Sequence, residues 1–588
     1  MATQETFALK ERLLGLRLPR VETMIFLLMG LAIAFLVLWP LFWLFGTSFT
    51  ADEGGLTLNN WKEAFKAPFL WEATWNTIYV SVVGSVIAVV VGIALALIVA
   101  RTDTPGKEFF EFISILPFIT PPIVSGLAWI ILADKEGGLI NIVFDKLGID
   151  LTLNVLSMPG LIFSSVLYMI PFVFFLTVGV MRQINPELEE ASTISGASRY
   201  RTFMRVTLPL LLPGITAGAL LAFMYSNNLF GIHVVIGLPA NIWLLTTAIY
   251  TSLSIVPVNF HQSAIQGLIL LFLASLAMWG QGMVLGRKSY VTISGKGFRS
   301  KEVKLGKWRW LTFGICSLYI FLVAILPYLV IFLRSTKAFA FQPGMDFLDL
   351  FRHWDFSEYK KTIILEAPSQ RALINSFWLS ITAALFTMTL TGVAAYIITK
   401  TKFLGRKALG FTCMIPLTIP GVVLGVAMIF GYTVYPFMLY GTIWILLLAY
   451  IVKDLPLGLQ SAQSSFLQID KELEDSARVC GASWLHQFRT VTLPLVKPGM
   501  FVGLIVIFAS MVREVGASII LFSLGNEVFA YIIFNTWEDG RWQQMCSFII
   551  ISSLLTLIFV GIIMKLTRVK FAELTKRSEL SKRSLSGG

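Results

Sequence analysis

Residues 187–215 read ELEEASTISGASRYRTFMRVTLPLLLPGI, and residues 472–500 read ELEDSARVCGASWLHQFRTVTLPLVKPGM. The two stretches stand in a constant register of 285 positions, and 14 of the 29 aligned residues are identical. Each lies between long apolar segments, so a polar loop has been duplicated within a chain otherwise built for lipid. Lipid contact gives no reason for Gly-Ala-Ser, Phe and Val-Thr-Leu-Pro-Leu to stay in register twice. A partner that docks at two equivalent places does. The competing reading is an ordinary amphipathic helix in the membrane interface, which leaves the duplication unexplained.

The surrounding composition is that of a membrane protein. Of 588 residues, 56% are hydrophobic and 14% charged, with a mean hydropathy of +0.77. A spanning helix needs roughly 20 mostly apolar residues. Twelve such runs are predicted: 24–46, 78–100, 109–132, 156–181, 208–229, 264–286, 311–333, 376–399, 408–430, 434–452, 495–524 and 546–566. The expected fold is therefore all-α and polytopic, with about twelve transmembrane helices. With the N-terminus inside, the cytoplasmic segments carry 34 Lys and Arg and the external ones 11. That bias places both ends in the cytoplasm. The net charge of +12 is this topology signal and not a nucleic-acid surface, because the basic residues are scattered over seven loops. The first apolar run is too long for a cleaved signal peptide. The four cysteines (Cys316, Cys413, Cys480, Cys546) are widely spaced and form no disulfide framework or CxxC pair.

The repeat extends beyond the loop. Asn76, Ser81, Arg101, Gly106, Pro117, Pro121 and Gly126 match Asn375, Ser380, Lys400, Gly405, Pro416, Pro420 and Gly425 at an offset of 299. The offset falls to 285 because the loop after the third run is shorter in the second copy. Each copy holds six runs, an even number, so the two enter the membrane in the same direction as parallel repeats. The organisation is a cytoplasmic N-terminal segment (1–23), a first half (24–286), a basic cytoplasmic linker (287–310), a second half (311–566) and a cytoplasmic tail (567–588).

The duplicated loops, 185–207 and 470–492, carry their own folding instructions. Asn185 and Asp470 can each cap a helix. Glu187, Glu189, Glu190 and Glu472, Glu474, Asp475 sit where the helix dipole favours anions. Gly196 and Gly481 stop each helix in a left-handed conformation, and Ser198 and Ser483 can cap a second short helix. The product is a stiff exposed helix with apolar groups (Leu188, Ile194; Leu473, Val479) beside acidic ones, suited to a groove on a peripheral protein.

In this pattern, Glu190-Ala191-Ser192 with Gly196, and Asp475-Ser476-Ala477 with Gly481, each followed by a Leu-Pro tail, resemble the cytoplasmic coupling loop of ATP-binding-cassette importer permeases. The resemblance implies that two ATPase subunits dock here, with Glu187, Glu189, Glu190, Ala191, Gly196, Ala197, Glu472, Glu474, Asp475, Ala477, Gly481 and Ala482 in contact. It implies an extracytoplasmic solute-binding protein on the other face, received by loops 47–77, 133–155 and 334–375. It also implies a multi-pass protein of the bacterial inner membrane. Two halves in one chain resemble the fused branch that includes the ferric-iron importers. Two departures stand out: Ser replaces one Ala in each copy, and Asp475 replaces Glu.

The chain has no phosphate-cradling Gly-x-x-x-x-Gly-Lys-Ser/Thr loop; its Gly-Lys pairs at 106, 295 and 306 are followed by Glu, Gly and Trp. ATP and magnesium would belong to the partner subunits, with no cofactor in this chain. Serine-hydrolase elbows and HExxH patterns are missing too, so no catalytic residue is assigned. The histidines (His233, His261, His353, His486) lack ligand spacing and read as surface or interface residues; no metal site is assigned.

Charges within apolar runs are the default pathway candidates. Arg513 and Glu514 lie in the eleventh run and align at 285 with Asn228 and Leu229, flanked by Phe223/Phe508 and Gly231/Gly516. Asn227, Asn228, Arg513 and Glu514 are therefore candidates to line or gate the pathway. The alternative is a structural pair that locks helices. An ion-coupled secondary transporter of twelve spans is the rival function; it usually needs more embedded ionisable groups.

Overall fold

The computed structural model describes residues 21–51, 54–114, 120–182, 184–286, 303–337 and 354–567. The expectations for the two chain ends (1–20, 568–588) and most of the linker (287–302) lie outside them. The described residues form helices, with only isolated β-bridges. The main ones in the first repeat are α1 Val21–Phe49, α2 Pro68–Arg101, α3 Lys107–Ile113, α4 Pro122–Ala133, α5 Met158–Met181, α6 Pro186–Ile194, α7 Tyr200–Ser226, α8 Leu245–Ser254 and α9 Phe260–Gly286. The second repeat follows with α10 Gly306–Ser335, α11 Ala367–Lys400, α12 Arg406–Met414, α13 Gly421–Tyr432, α14 Ile443–Phe466, α15 Lys471–Val479, α16 Leu485–Val512, α17 Phe529–Glu538 and α18 Trp542–Thr567.

The offsets read from sequence are those of the helices. α2 and α11 are 34 residues each at a shift of 299, and α5 and α14 are 24 residues each at a shift of 285. The change of offset falls between them, where the first repeat inserts a short helix, Leu139–Lys146. At about 1.5 Å per residue, α2 and α11 are about 50 Å long, well beyond the roughly 30 Å of a hydrocarbon core. Each therefore carries its last residue, Arg101 or Lys400, clear of the apolar layer and up to the repeated loop.

Small residues let the helices approach closely. A Cβ on Gly92 would lie 2.8 Å from Val173, and one on Gly218 3.2 Å from the Val173 backbone, which welds α2, α5 and α7. Gly458 against Thr391 and Gly503 against Ser461 do the same for α11, α14 and α16. A second crossing is repeated almost atom for atom. Gly126 meets Val235 and Gly231 meets Ile123; at equivalent positions Gly425 meets Ile520 and Gly516 meets Val422.

Three sequence expectations are corrected. The third and ninth runs are not straight spans. Arg406–Thr418 and Gly421–Tyr432 meet at 113°, and α3 and α4 are separate helices; among the described residues ten helices are long and apolar enough to cross a membrane, or eleven counting the bent pair. Proline lacks an N–H and clashes with the preceding turn, so Pro416, Pro420 and their counterpart Pro121 break what hydropathy counts as continuous. The tenth run, expected at 434–452, is a helix at 443–466 and carries Lys453 and Asp454 in its middle. The eleventh, expected at 495–524, ends at Val512, so Arg513 and Glu514 stand at a helix end rather than inside a span.

The halves are also interleaved. α1 packs on α12 and α13 of the second repeat. Trp39 Nε1 donates to the Gly431 carbonyl at 2.8 Å, and Phe26 packs on Tyr396 and Phe403. Reciprocally, α10 packs on α3 and α4. Tyr328 bonds the Thr120 hydroxyl at 2.9 Å, and the Thr104 and Thr312 hydroxyls meet at 2.7 Å. Each repeat thus lends its first helix to the other.

Candidate functional site

Two polar features stand out against this apolar body. The first is the pair of loop helices, α6 and α15. Asn185 Oδ1 accepts from the Glu187 N–H at 3.0 Å, and Asp470 Oδ1 from the Glu472 N–H at 3.3 Å. Gly196 and Gly481 sit at φ +83° and +85°, with open space where a Cβ would be. Glycine is needed there for the backbone alone. The Ala197 and Ala482 N–H groups close each helix onto Ser192 and Ala477 carbonyls at 3.1 Å. Ser198 and Ser483 accept from the N–H groups of Arg201 and His486 at 3.3 Å. Every cap read from sequence is present.

Glu187, Glu190, Ala191, Gly196, Glu472, Asp475 and Gly481 are exposed, and Ala197, Ala477 and Ala482 are half-buried. Ile194 and Val479, at equivalent positions, are 87% and 89% exposed. Burying such apolar surface is favourable, so each helix offers an anionic and apolar face to a partner. Glu189 and Glu474 differ from the other acids. Both turn inward: Thr207 donates to Glu189 Oε1 at 2.8 Å and Thr492 to Glu474 Oε1 at 3.0 Å. Arg101 pairs with Glu189 at 3.3 Å and Lys400 with Glu474 at 3.5 Å.

The second feature is a polar cluster where the repeats meet. Lys453 forms an ion pair with Glu514, and Glu514 Oε1 also accepts from the Ala517 N–H at 3.0 Å. Ser510 donates to Asp454 at 3.0 Å. The Arg513 guanidinium donates to the Tyr168 hydroxyl at 3.0 Å and also faces Tyr225 and Asp454. Asn228 Oδ1 accepts from the Gly421 N–H at 3.1 Å, and Ser81 donates to Asn227 at 3.2 Å. Arg513–Tyr168 and Asn228–Gly421 each join one repeat to the other. Asn227 is fully buried, whereas Asn228, Arg513 and Lys453 keep partial exposure.

At the 285 register, Tyr168 corresponds to Lys453, Tyr225 to Ser510 and Asn228 to Arg513. The second repeat thus supplies two cations and two anions; the first has neutral polar groups, Tyr168 and Asn228, at the places of the cations and apolar ones, Met169 and Leu229, at the places of the anions. Sequence reasoning brought four of these residues together but missed Lys453 and Asp454, which it assigned to a cytoplasmic loop. The signal was present: Pro171 and Pro456 lie inside their helices at the same register, which carries the tenth helix past Lys453. One further expectation fails. His233 is fully buried, not superficial, and its Nδ1 meets the Thr246 hydroxyl at 2.9 Å. Among the described residues no group of His, Cys, Asp and Glu could hold a metal ion.

This architecture, two copies of a helical unit with a capped polar loop, is matched by a known family. The family model described as "Binding-protein-dependent transport system inner membrane component" matches residues 88–288 and again 388–569. The chain belongs to this family. It is a multi-pass transport component of the inner membrane and not an enzyme. Both matches begin within α2 and α11, after the helix that each repeat lends to the other. The permease is similar to the ferric transport system permease protein FbpB of Actinobacillus pleuropneumoniae, 27% identical over 502 residues, 83% of this chain and 70% of that one. It is also similar to the putative ferric transport system permease protein FbpB 1 of Haemophilus influenzae, 27% identical over 465 residues, 77% of this chain and 71% of that one. Among solved structures, one chain of a bacterial ABC transporter involved in the import of the acidic polysaccharide alginate matches with a TM-score of 0.36 and 19% identity, covering 45% of this chain and 96% of that one.

Proposed function

We propose that this permease is the membrane-spanning part of an ATP-driven importer that takes ferric iron from an external binding protein and passes it inward. The observation that carries the proposal is the pair of capped helices, α6 and α15, each presenting the same exposed face in a family defined by binding-protein-dependent transport. Two ATPase subunits dock on these faces, one per repeat. Glu187, Glu190, Ala191, Ile194 and Gly196 make the first contact surface; Glu472, Asp475, Ala477, Val479 and Gly481 make the second. ATP and magnesium are bound by those subunits. Both termini and the linker lie on the same, cytoplasmic side.

Ferric iron is the proposed cargo because the two relatives above carry that word in their names and align over most of both chains. The pathway runs between the repeats, through Asn227, Asn228, Lys453, Asp454, Arg513 and Glu514. Two bonds across the repeats, Arg513–Tyr168 and Asn228–Gly421, close it. The ion-coupled alternative gains Lys453 and Asp454 as embedded ionisable groups, but it leaves the duplicated loop without a purpose.

The test is uptake of radioactive ferric iron by proteoliposomes holding the permease with its co-purifying ATPase and binding protein. Uptake should require internal ATP and should fall to background when the ATPase is omitted. Uptake at full rate without nucleotide, or driven by an ion gradient alone, would overturn the proposal.

A further inference from the structure

The inward turn of Glu189 and Glu474 separates them from the acids on either side. In each repeat the carboxylate lies between three elements. Glu189 belongs to α6, Arg101 is the last residue of α2, and Thr207 ends the π-helical turn Phe203–Thr207 within α7. Glu474, Lys400 and Thr492 occupy the same places in α15, α11 and α16. The acid and the threonine are 18 residues apart in both copies. Glu474 is 4% exposed, and Arg101 7%. Lys400 also donates to the Ile469 carbonyl at 2.8 Å, just ahead of α15.

We propose that Glu189 and Glu474 are positioning residues rather than docking contacts: each clamps its loop helix to the ends of two long helices, so that a push on the loop helix turns those helices instead of the loop. The inference rests on the reading that ATPases dock on α6 and α15. Without the clamp, a short helix ending in a left-handed glycine would pivot on its own caps and dissipate the push. With it, a charge-assisted hydrogen bond ties the lever to α7 or α16 and an ion pair ties it to α2 or α11, both in a partly desolvated pocket. α2 and α7 are in turn welded to α5 through Gly92 and Gly218. The cation differs between copies, Arg101 against Lys400, but the geometry is retained.

The experiment uses the full chain. Cys480 is exposed on the second loop, and Cys316, Cys413 and Cys546 are buried. Ser195→Cys therefore gives a nitroxide pair at equivalent positions, one per loop. In the protein alone the distance distribution between them should be narrow, and Glu189→Gln with Glu474→Gln should widen it about twofold. Thr207→Val with Thr492→Val, which keeps the ion pairs, should widen it less, and Lys400→Arg should leave it unchanged. In proteoliposomes the double Gln variant should co-purify ATPase as wild type does, yet move about tenfold less solute per ATP hydrolysed. An unchanged distribution overturns the clamp. So does loss of ATPase binding equal to that of Ile194→Asp with Val479→Asp, which would make the two acids docking contacts. Should wild type itself bind no ATPase, the docking reading fails, and the label distances still decide whether the clamp exists.

Discussion

The Arg513 guanidinium donates to the Tyr168 hydroxyl at 3.0 Å, joining two residues 345 positions apart that belong to different repeats. Tyr168 occupies, in its own repeat, the place that Lys453 occupies in the other. The contact thus reaches the neutral counterpart of a charged position. On the proposed pathway between the repeats such bonds would have to break for solute to pass, so they should be modest in energy.

A double-mutant cycle measures this bond. Tyr168→Phe and Arg513→Ala should couple by about 0.5–3 kcal/mol in thermal unfolding. Arg513→Ala should be the more damaging single change, because it removes one of the two cations, Lys453 and Arg513, that act on buried Asp454. Tyr168→Phe should lower stability by about 1 kcal/mol and raise leak of solute in the absence of ATP. A coupling of zero would show that the two groups act independently and form no latch.

Gly421 is a second sensitive point. Its N–H holds Asn228 at 3.1 Å, and a Cβ there would collide with the Glu514 carboxylate, with Lys453 Nζ 3.0 Å away. Gly421→Ala should cost about 1–3 kcal/mol through overpacking and should abolish transport by displacing the ion pair. Adding Glu514→Ala removes the clash, so the double variant should recover part of the lost melting temperature but not transport. A single variant with wild-type stability would refute the close approach.

Local chemistry explains what was legible in the sequence. Asn185, Ser198, Asp470, Ser483 and the two glycines act on neighbours within a few residues, and each was found where expected. The same holds for the register that relates α5 to α14. Lys453 and Asp454 were missed because a charged pair after an apolar run reads as the end of a span. What tolerates them is tertiary: Glu514, Ser510 and Arg513 are 56 or more positions away. The interleaving of α1 and α10 was illegible for the same reason, since hydropathy does not say which neighbour a helix packs on. The broken third and ninth runs were within reach, because their prolines were visible and only the apolar count argued for continuity.

Substitutions at the loop glycines probe the left-handed turns. Proline fixes φ near −65°, so Gly196→Pro and Gly481→Pro cannot adopt +83° or +85°. Both should insert normally, yet lose ATPase co-purification at the altered loop. Gly→Ala at the same sites meets open space and should cost only backbone strain, about 1–2 kcal/mol, leaving transport reduced but measurable. Unchanged transport in both Pro variants would count against docking at these turns.

A pH dependence is expected at the opposite end of the molecule, where α11 begins. Arg371 donates to both oxygens of Glu527 at 2.8 Å, and the Gly525 N–H adds a third bond at 3.2 Å. The Arg371 hydrogen bond holds the Glu527 carboxyl below the usual glutamate range. A depressed folded-state pKa gives stability that is present above the unfolded value, about 4.3, and is lost as pH falls through the folded one. Arg371 is 44% exposed on its side chain, so solvent screening keeps the contribution small. Glu527→Gln should therefore melt slightly below wild type at pH 7, and the gap should close as pH approaches 3. A gap that is constant with pH would mean that packing, not charge, is what Glu527 supplies.

The exposed apolar tips give the most direct test of partner docking. Ile194 and Val479 are solvent-facing at the same register, and no described residue covers them. In the isolated permease, Ile194→Asp and Val479→Asp should leave the unfolding free energy within about 0.5 kcal/mol of wild type, as surface changes do. In the assembled transporter each buries a charge against an apolar groove, which costs far more unless it finds a partner. Single variants should then retain one ATPase and the double variant none, read as subunit stoichiometry after purification. If both single variants lose both subunits, the two loops do not bind independently, and the duplicated sequence would reflect one composite surface instead of two separate levers.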